Sequence, residues 1–389
     1  MLKIRIQNNI DKMTKAYDKK FPRLKSIDIF RGLCMAWMVL NHLIDWWLKP
    51  KYSWLHGVVI MIIDPIGASG FLFISGVSVS LSYRSRLDRA KDSEDYNNRM
   101  LNYTYLFRAL FLLIIALIYN SIIALLILNP SMIWTWFVLL TAAISLFLAW
   151  PLLKTSKMVR LFIVTGLLFI NQLILTWLLP YKGTFNLYGV LFHFLYHDIN
   201  QDPILLFFPF FLVGTVVGDI IFDTFSYINE KDHKQNFVRR LFLPLNLGGI
   251  ILIIIGISFK TPEFLMRESF SWQIYSLGII LLIMSILLFF DEFELVKTKR
   301  SYKFLFYYSY YSLTIYLAHN LLYFLFLKQL NIFNVWFFAA GAFIMIGIIL
   351  RTIYKTWGGS ASIKVQIGRL SLGLTQKIEK RIRNTINKK

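Results

Sequence analysis

Residues 105–128, YLFRALFLLIIALIYNSIIALLIL, form a long apolar run in which Arg108 is the only charged residue. A helix of about 20 apolar residues is long enough to cross the hydrocarbon core of a membrane. Nine further runs of this kind occur before and after it in the chain, at 29–48, 56–83, 132–153, 159–179, 204–222, 241–259, 270–290, 305–327 and 332–354. We therefore predict an all-α polytopic membrane protein with about ten transmembrane helices.

The composition supports this fold class and narrows the function. The chain is 57% hydrophobic and 16% charged, whereas soluble domains are about 25% charged. The net charge of +21 is spread over loops, so we expect contact with membrane lipid headgroups and no nucleic-acid partner. With Cys34 as the single cysteine, the sequence offers no intrachain disulfide and no spacing typical of a metal site.

Lys and Arg residues predict the orientation, because they concentrate in cytoplasmic loops. With the N-terminus inside, 34 of the 42 Lys and Arg residues fall in inside segments and 6 in outside segments. Both termini are therefore predicted to be cytoplasmic. We divide the chain into a basic segment at 1–25, a transmembrane domain at 26–354 and a basic tail at 355–389. The tail is either an amphipathic helix on the inner leaflet or a frayed end, with about equal support.

The first apolar run carries polar residues that lipid does not favour, and such residues usually mark function. Arg31 and His42 are 11 residues apart, which gives three turns and roughly 16 Å of rise along one face of a helix. Asp45 shares that face, and Met35 and Met38 lie between the two ends. The alternative is that His42 and Asp45 satisfy each other while Arg31 reaches the inner headgroups.

Other polar residues are predicted at the depth of His42. His319, followed by Asn320, lies as far into the ninth run as His42 lies into the first. His56 begins the second run on the outer side, Asp64 follows, and Pro65 and Gly67 are expected to break that helix. His193, His197 and Asp198 belong to the longest outer loop and are either acceptor contacts or solvated. The small residues at 67–70 and 75–82 indicate close helix packing, with direct ligand contact as the alternative.

Four segments resemble one family in the expected order: RLKSIDIFRGLCMAWMVLNHLID at 23–45, GASGFLFISGVSVSLSYRSR at 67–86, FFPFFLVGTVVGDIIFD at 207–223 and YYSYYSLTIYLAHN at 307–320. They are similar to the catalytic domain of the heparan-α-glucosaminide N-acetyltransferase family. The resemblance to its prokaryotic members implies an integral protein of a prokaryotic cell membrane. The Arg31-x10-His42 spacing is also similar to that of the related acyltransferase-3 family.

The resemblance implies transfer of an acetyl group from cytoplasmic acetyl-CoA to a glycan or amino sugar on the far side of the membrane. It implies a histidine at the reacting centre, for which His42 matches better than His56. The sequence is also compatible with a homodimer.

We hypothesise that CoA phosphates bind near the donor-side arginines, with the pantetheine arm along Met35 and Met38. His42, oriented by Asp45, is the general base, and an acetyl-histidine intermediate is the alternative. His319 or Asn320 stabilises the oxyanion. The donor-side arginines are Arg31, Arg84, Arg86 and Arg108, and the acceptor-side residues are Asp64, His193, His197 and Asp198.

Two rival classes remain open at this stage. A transporter or channel would also use buried His and Asp residues, although no inverted repeat is evident in the sequence. A scramblase-like or purely structural membrane protein would bind no acetyl-CoA and would not depend on its histidines.

Overall fold

The computed structural model describes residues 23–92, 96–197, 201–226, 233–259, 264–265, 267, 269–295 and 303–386. Over these ranges the chain is helical and contains no β-strand, and nine helical stretches are long and apolar enough to cross a membrane. The predicted all-α polytopic membrane fold is confirmed. That both termini are cytoplasmic stays a prediction, and residues 1–22 of the predicted N-terminal segment lie outside the described residues.

We number the α-helices in chain order. Short turns also connect them, among them a π turn at Val238–Phe242 and 3-10 turns at Pro130–Trp134 and His319–Phe324. The helices are α1 (Lys25–Trp47), α2 (Ser53–Ile63), α3 (Ala68–Asp92), α4 (Asn98–Ile127), α5 (Val138–Leu152), α6 (Lys157–Leu178), α7 (Leu187–Leu195), α8 (Ile204–Ser226), α9 (His233–Phe237), α10 (Leu243–Phe259), α11 (Phe270–Glu292), α12 (Lys303–Tyr310), α13 (Ser312–Ala318), α14 (Ile332–Trp357) and α15 (Ile363–Ile386).

Three of the ten predicted helices are interrupted. The run at 132–153 begins in a 3-10 turn at Pro130–Trp134, and its α-helix begins only at Val138. The second run is divided between two helices, since α2 ends at Ile63 and α3 begins at Ala68. This confirms the expected break at Pro65 and Gly67. The run at 305–327 was predicted as one helix, but it breaks at Tyr311 and ends in the 3-10 turn. Tyr and Ser are weaker helix formers than Leu or Ala. The side chain of the buried Tyr311 is also held from outside the helix, because its hydroxyl donates to the Gly358 carbonyl over 2.6 Å.

The centre of the described bundle is α8, whose residues are mostly apolar and are buried on nearly every side, as expected for a helix inside the protein core. It packs against α3 through glycines. A Cβ at Gly76 would collide with the Phe211 carbonyl, and one at Gly214 would collide with the Phe73 carbonyl. These small residues therefore bring two helix backbones into contact, which is the close packing expected for residues 75–82.

The C-terminal segment forms α15, a helix that packs along α4. The hydroxyls of Thr104 and Thr375 are 3.2 Å apart, and the Asn97 amide donates to Glu379 over 2.9 Å. The buried face of the segment combines the apolar Ile367 with Ser371, Thr375 and Glu379. The protein therefore holds the segment by apolar packing and by hydrogen bonds.

We predict that Gly214→Ala lowers the unfolding temperature of the protein in detergent. The added methyl group must separate α3 and α8, and overpacking of this kind costs about 1–3 kcal/mol. The matched control is Gly248→Ala on α10, where an added Cβ meets no atom within 4 Å and helix propensity favours alanine. Equal unfolding temperatures for the two variants would contradict the close crossing of α3 and α8.

Candidate active site

Arg31 lies where α1, α3 and α12 meet. Its guanidinium donates to the Ser309 hydroxyl over 3.3 Å and to the Ser78 hydroxyl, and its side chain is 13% exposed. The Asp28 carboxylate lies 3.8 Å from the guanidinium and accepts a hydrogen bond from the Ser309 hydroxyl over 2.9 Å. A buried charge needs partners of this kind. Arg31 is therefore held by side chains of the bundle, and its distance from the lipid headgroups stays a prediction.

Gly32 makes this arrangement possible. A Cβ at this position would collide with the backbone carbonyl of Leu305 on α12. Any other residue would push α12 away from α1 and would separate the Ser309 hydroxyl from Arg31. The Arg-Gly pair thus combines a charged group with the close approach that supplies its partner.

The two methionines between Arg31 and His42 have different surroundings. Met35 is 1% exposed and belongs to the hydrophobic core, whereas Met38 is only partly buried against that core. Their contact with a donor stays a prediction.

His42 belongs to a group of three aromatic rings at the other end of α1. The centroid of its ring is 5.1 Å from that of His319 and 5.0 Å from that of Trp46, and the Trp46 and His319 rings are 5.7 Å apart. The two histidines come from different elements of the chain. Their equal depth, inferred from counting residues along two runs, agrees with this contact.

The ring of His319 has a fixed orientation. Its Nδ1 lies 2.5 Å from the Tyr316 carbonyl oxygen, and the residue is 5% exposed. Because a carbonyl only accepts hydrogen bonds, Nδ1 must carry the proton. In neutral His319 the lone pair is therefore on Nε2.

Residues 24–353 match the family described as "Acyltransferase domain", the acyltransferase-3 family. The match covers most of the 389 residues and includes both Arg31 and the histidine pair. The chain belongs to this acyltransferase family. No curated protein matches it. Membership favours the enzyme over the transporter, channel and scramblase-like alternatives.

In this acyltransferase, Asp45 has partners other than the predicted His42. Its carboxylate lies 3.7 Å from Nδ1 of His56 and 3.9 Å from Nζ of Lys328. The other ring nitrogen of His56 is 3.2 Å from the Asn41 amide oxygen. Asp45 therefore lies beside His56 and Lys328, a difference from the prediction that arises because α2 brings His56 alongside α1.

Asn320, the other predicted oxyanion donor, is engaged on one side. Its amide donates to the Tyr119 hydroxyl over 2.7 Å, and the Tyr119 ring lies 5.5 Å from that of Tyr316. Since a side-chain amide has two hydrogens to donate, one of these bonds remains possible for a ligand.

The four arginines predicted on the donor side fall into two groups. Arg84 donates to the Asp223 carboxylate over 2.6 Å and lies 4.0 Å from Asp219, so acidic residues of α8 hold it. Arg86 and Arg108 are close enough to repel each other, and the described residues supply neither with an ion-pair partner. Together with Arg31, they remain the arginines suited to an anionic donor.

Sequence reasoning missed the ion pair between Arg160 and Asp219, which joins α6 to α8. Both side chains are almost fully buried, and Asp219 also accepts from the Ser80 hydroxyl over 2.6 Å. A signal was available, because Asp219 is an acidic residue inside the apolar run at 204–222. The pair fixes α3, the helix that supplies Ser78 to Arg31.

Asp64, predicted to bind the acceptor, is part of an ion-pair cluster. Arg267 donates to Asp64 over 2.8 Å and to Asp202 over 2.6 Å. Burial raises the pKa of the Asp202 carboxyl to about 6, and the charge of Arg267 opposes that rise. The cluster connects the turn between α2 and α3 to the segments that precede α8 and α11.

The outer-loop histidines lie near the segment between α4 and α5. The His193 and His197 rings are 4.6 Å apart, and Nε2 of His197 is 3.2 Å from the Ser131 carbonyl oxygen. Asp198 lies outside the described residues. Acceptor binding by these three residues stays a prediction.

We predict that Arg267→Met destabilises the protein by about 3 kcal/mol, because it leaves two buried carboxylates without a counter-charge. In the variant the pKa of Asp202 rises further above its unfolded value of about 3.9. Protonation of Asp202 then favours the folded state, so the loss of stability grows as the pH rises above about 6 and shrinks as the pH falls below it.

The measurement is the unfolding temperature in detergent at several pH values. Adding Asp202→Asn to Arg267→Met should recover part of the loss, and Arg351→Met, at an exposed residue of α14, is the control. A deficit that is independent of pH and is not reduced by Asp202→Asn would contradict a charge-based role for Arg267.

Proposed function

We propose that this membrane acyltransferase moves an acetyl group from acetyl-CoA to a hydroxyl or amine of a sugar or amino sugar. The observation that carries the proposal is the contact between the His42 and His319 rings. His42 is on the same helix as Arg31, near its other end. Family membership supports acyl transfer. The choice of acetyl-CoA and of a sugar acceptor rests on the resemblance to the heparan-α-glucosaminide N-acetyltransferase family.

The donor is proposed to bind with its phosphates at the Arg31 end. From there to His42 the rise along α1 is roughly 16 Å, a separation that suits a donor whose charged head and reactive thioester are at opposite ends. Arg31 contacts Ser78 of α3, Ser309 of α12 and Asp28 of its own helix. In this proposal, Arg31 binds the negatively charged phosphates of the donor.

The proposed reaction needs a base at the other end. The base removes the proton from the acceptor hydroxyl or amine as its oxygen or nitrogen attacks the thioester carbon. The carbon–sulfur bond then breaks, and CoA leaves as a thiolate. The base gives the proton that it removed to the thiolate sulfur. Imidazole suits this role because its usual pKa lies near neutral pH.

The two histidines have different parts in the proposal. His42 is the general base, as its position on the Arg31 face suggests. The hydrogen bond from Nδ1 of His319 to Tyr316 means that neutral His319 has no proton on Nε2 to give to an oxyanion. We therefore assign His319 to proton acceptance beside His42 and leave the oxyanion to the free hydrogen of the Asn320 amide.

The acceptor is proposed to enter past Asp45, His56 and Lys328. The Asp45 and Lys328 side chains are each 46% exposed, and they lie within 4 Å of each other with His56 beside them. Carboxylate, ammonium and imidazole groups together can donate and accept hydrogen bonds, which is what a polyhydroxylated acceptor requires.

We predict that His42→Ala and His319→Ala each lower kcat by about 100-fold or more, the usual contribution of a general base. The double variant should be little worse than the weaker single variant, because groups that act as a unit are not additive. The assay follows radioactive acetyl from acetyl-CoA to glucosamine with reconstituted full-length protein. Glucosamine offers both an amine and hydroxyls, so product analysis distinguishes N- from O-acetylation.

The control is His233→Ala, since His233 pairs with Glu292 over 2.8 Å in a separate part of the molecule. It should keep the wild-type kcat. All variants should be stabilised by acetyl-CoA in a thermal unfolding assay, which separates folding and donor binding from chemistry. Unchanged turnover in His42→Ala would reject the proposed base.

A further inference from the structure

Lys364 is a charged residue that the sequence analysis did not use. It lies in the first turn of α15 and is partly buried, and its Nζ donates to the backbone carbonyl of Ser309 over 3.1 Å. The hydroxyl of the same serine is the partner of Arg31. A single residue of α12 thus joins the donor-side arginine to the C-terminal helix.

The charges near Lys364 are mostly of its own sign. Three guanidinium groups act on it, those of Arg31, Arg108 and Arg23, against the single carboxylate of Asp28. Asp28 is already shared, because it lies 2.8 Å from Arg23 and 3.8 Å from Arg31. This part of the protein therefore carries more positive charge than its own carboxylates balance.

Two of these cations have no acidic partner. Among the described residues, neither Arg108 nor Lys364 forms an ion pair, and Arg108 is repelled by Arg86 as well. Lys364 is also at the N-terminal end of α15, where the helix dipole is positive and a cation is disfavoured. Partly buried cations that repel one another are costly unless an anion joins them.

We propose that Lys364 and Arg108 bind a phosphate group of the CoA donor, so that the C-terminal helix forms one wall of the donor site. The inference rests on the proposed function for the identity of the donor. A phosphate group supplies two or more acceptor oxygens and at least one negative charge, and charge-assisted hydrogen bonds to Lys and Arg are its usual contacts. An anionic lipid headgroup offers the same chemistry, and the experiment distinguishes the two sources.

The site also explains how α15 is held. Its polar stripe is bonded to α4, the helix that carries Arg108, through Thr375 and Glu379. Because both cations belong to helices bonded to each other, their separation is set by the fold. Lys364 is a binding residue in this proposal, and the proton transfer at the histidine pair does not depend on it.

The test compares full-length wild-type protein with Lys364→Met in detergent, by calorimetric binding of CoA and of pantetheine, which lacks phosphate. Lys364→Met should weaken CoA binding by about tenfold or more, as expected for one lost charge-assisted hydrogen bond, and leave pantetheine binding unchanged. Lys364→Arg should recover most of the affinity. The matched control is Lys377→Met, an exposed lysine on the same helix.

Two outcomes would overturn the inference. The first is equal CoA affinity in wild type and Lys364→Met. The second is an equal loss for CoA and pantetheine, which would indicate structural damage. In either case CoA binding by the wild type would leave the proposed function standing.

Two further arms separate the sources of the phosphate. Stabilisation by phosphatidylglycerol vesicles that depends on Lys364, with no change in CoA affinity, would assign the site to a lipid and overturn the donor assignment. Wild-type protein that binds inorganic pyrophosphate through Lys364, but not CoA, would support the phosphate site and reject the proposed donor.

Discussion

The hydrogen bonds that converge on Ser309 hold the rest of the arrangement together. Its hydroxyl accepts from Arg31 and donates to Asp28, and its carbonyl accepts from Lys364. An ionised group inside an apolar bundle is costly unless it is paired, so α1 and α12 must stay in contact to satisfy Arg31. The close approach that this requires explains why a glycine follows the arginine.

Helix α1 separates Arg31 at one end from His42 at the other. In the proposed function, the arginine end binds a phosphate-bearing donor and the imidazole end transfers a proton. The 3-10 turn that starts at His319 has a consequence here, because Nδ1 of His319 contacts the Tyr316 carbonyl three residues earlier. That contact fixes which nitrogen of neutral His319 carries the proton.

Much of this was predictable from the sequence, and the failures have physical reasons. The apolar runs predicted the fold class, and residue counting along two runs brought His42 and His319 to one level. Spacing within one helix could not show that Asp45 would lie beside His56, because that contact depends on how α1 and α2 pack. Lys364 was missed because the basic tail read as a surface feature, and its role emerges only when α15 folds back onto α4 and Ser309.

The central claim is that the two ends of α1 belong to one site that a single CoA molecule spans. A cryo-electron microscopy structure of the full-length protein with CoA tests it most directly. The account predicts the CoA sulfur beside the His42 and His319 rings and the CoA phosphates beside Arg31, Arg108 and Lys364. A bound CoA whose sulfur lies away from both rings, or histidines that separate and face lipid, would contradict it.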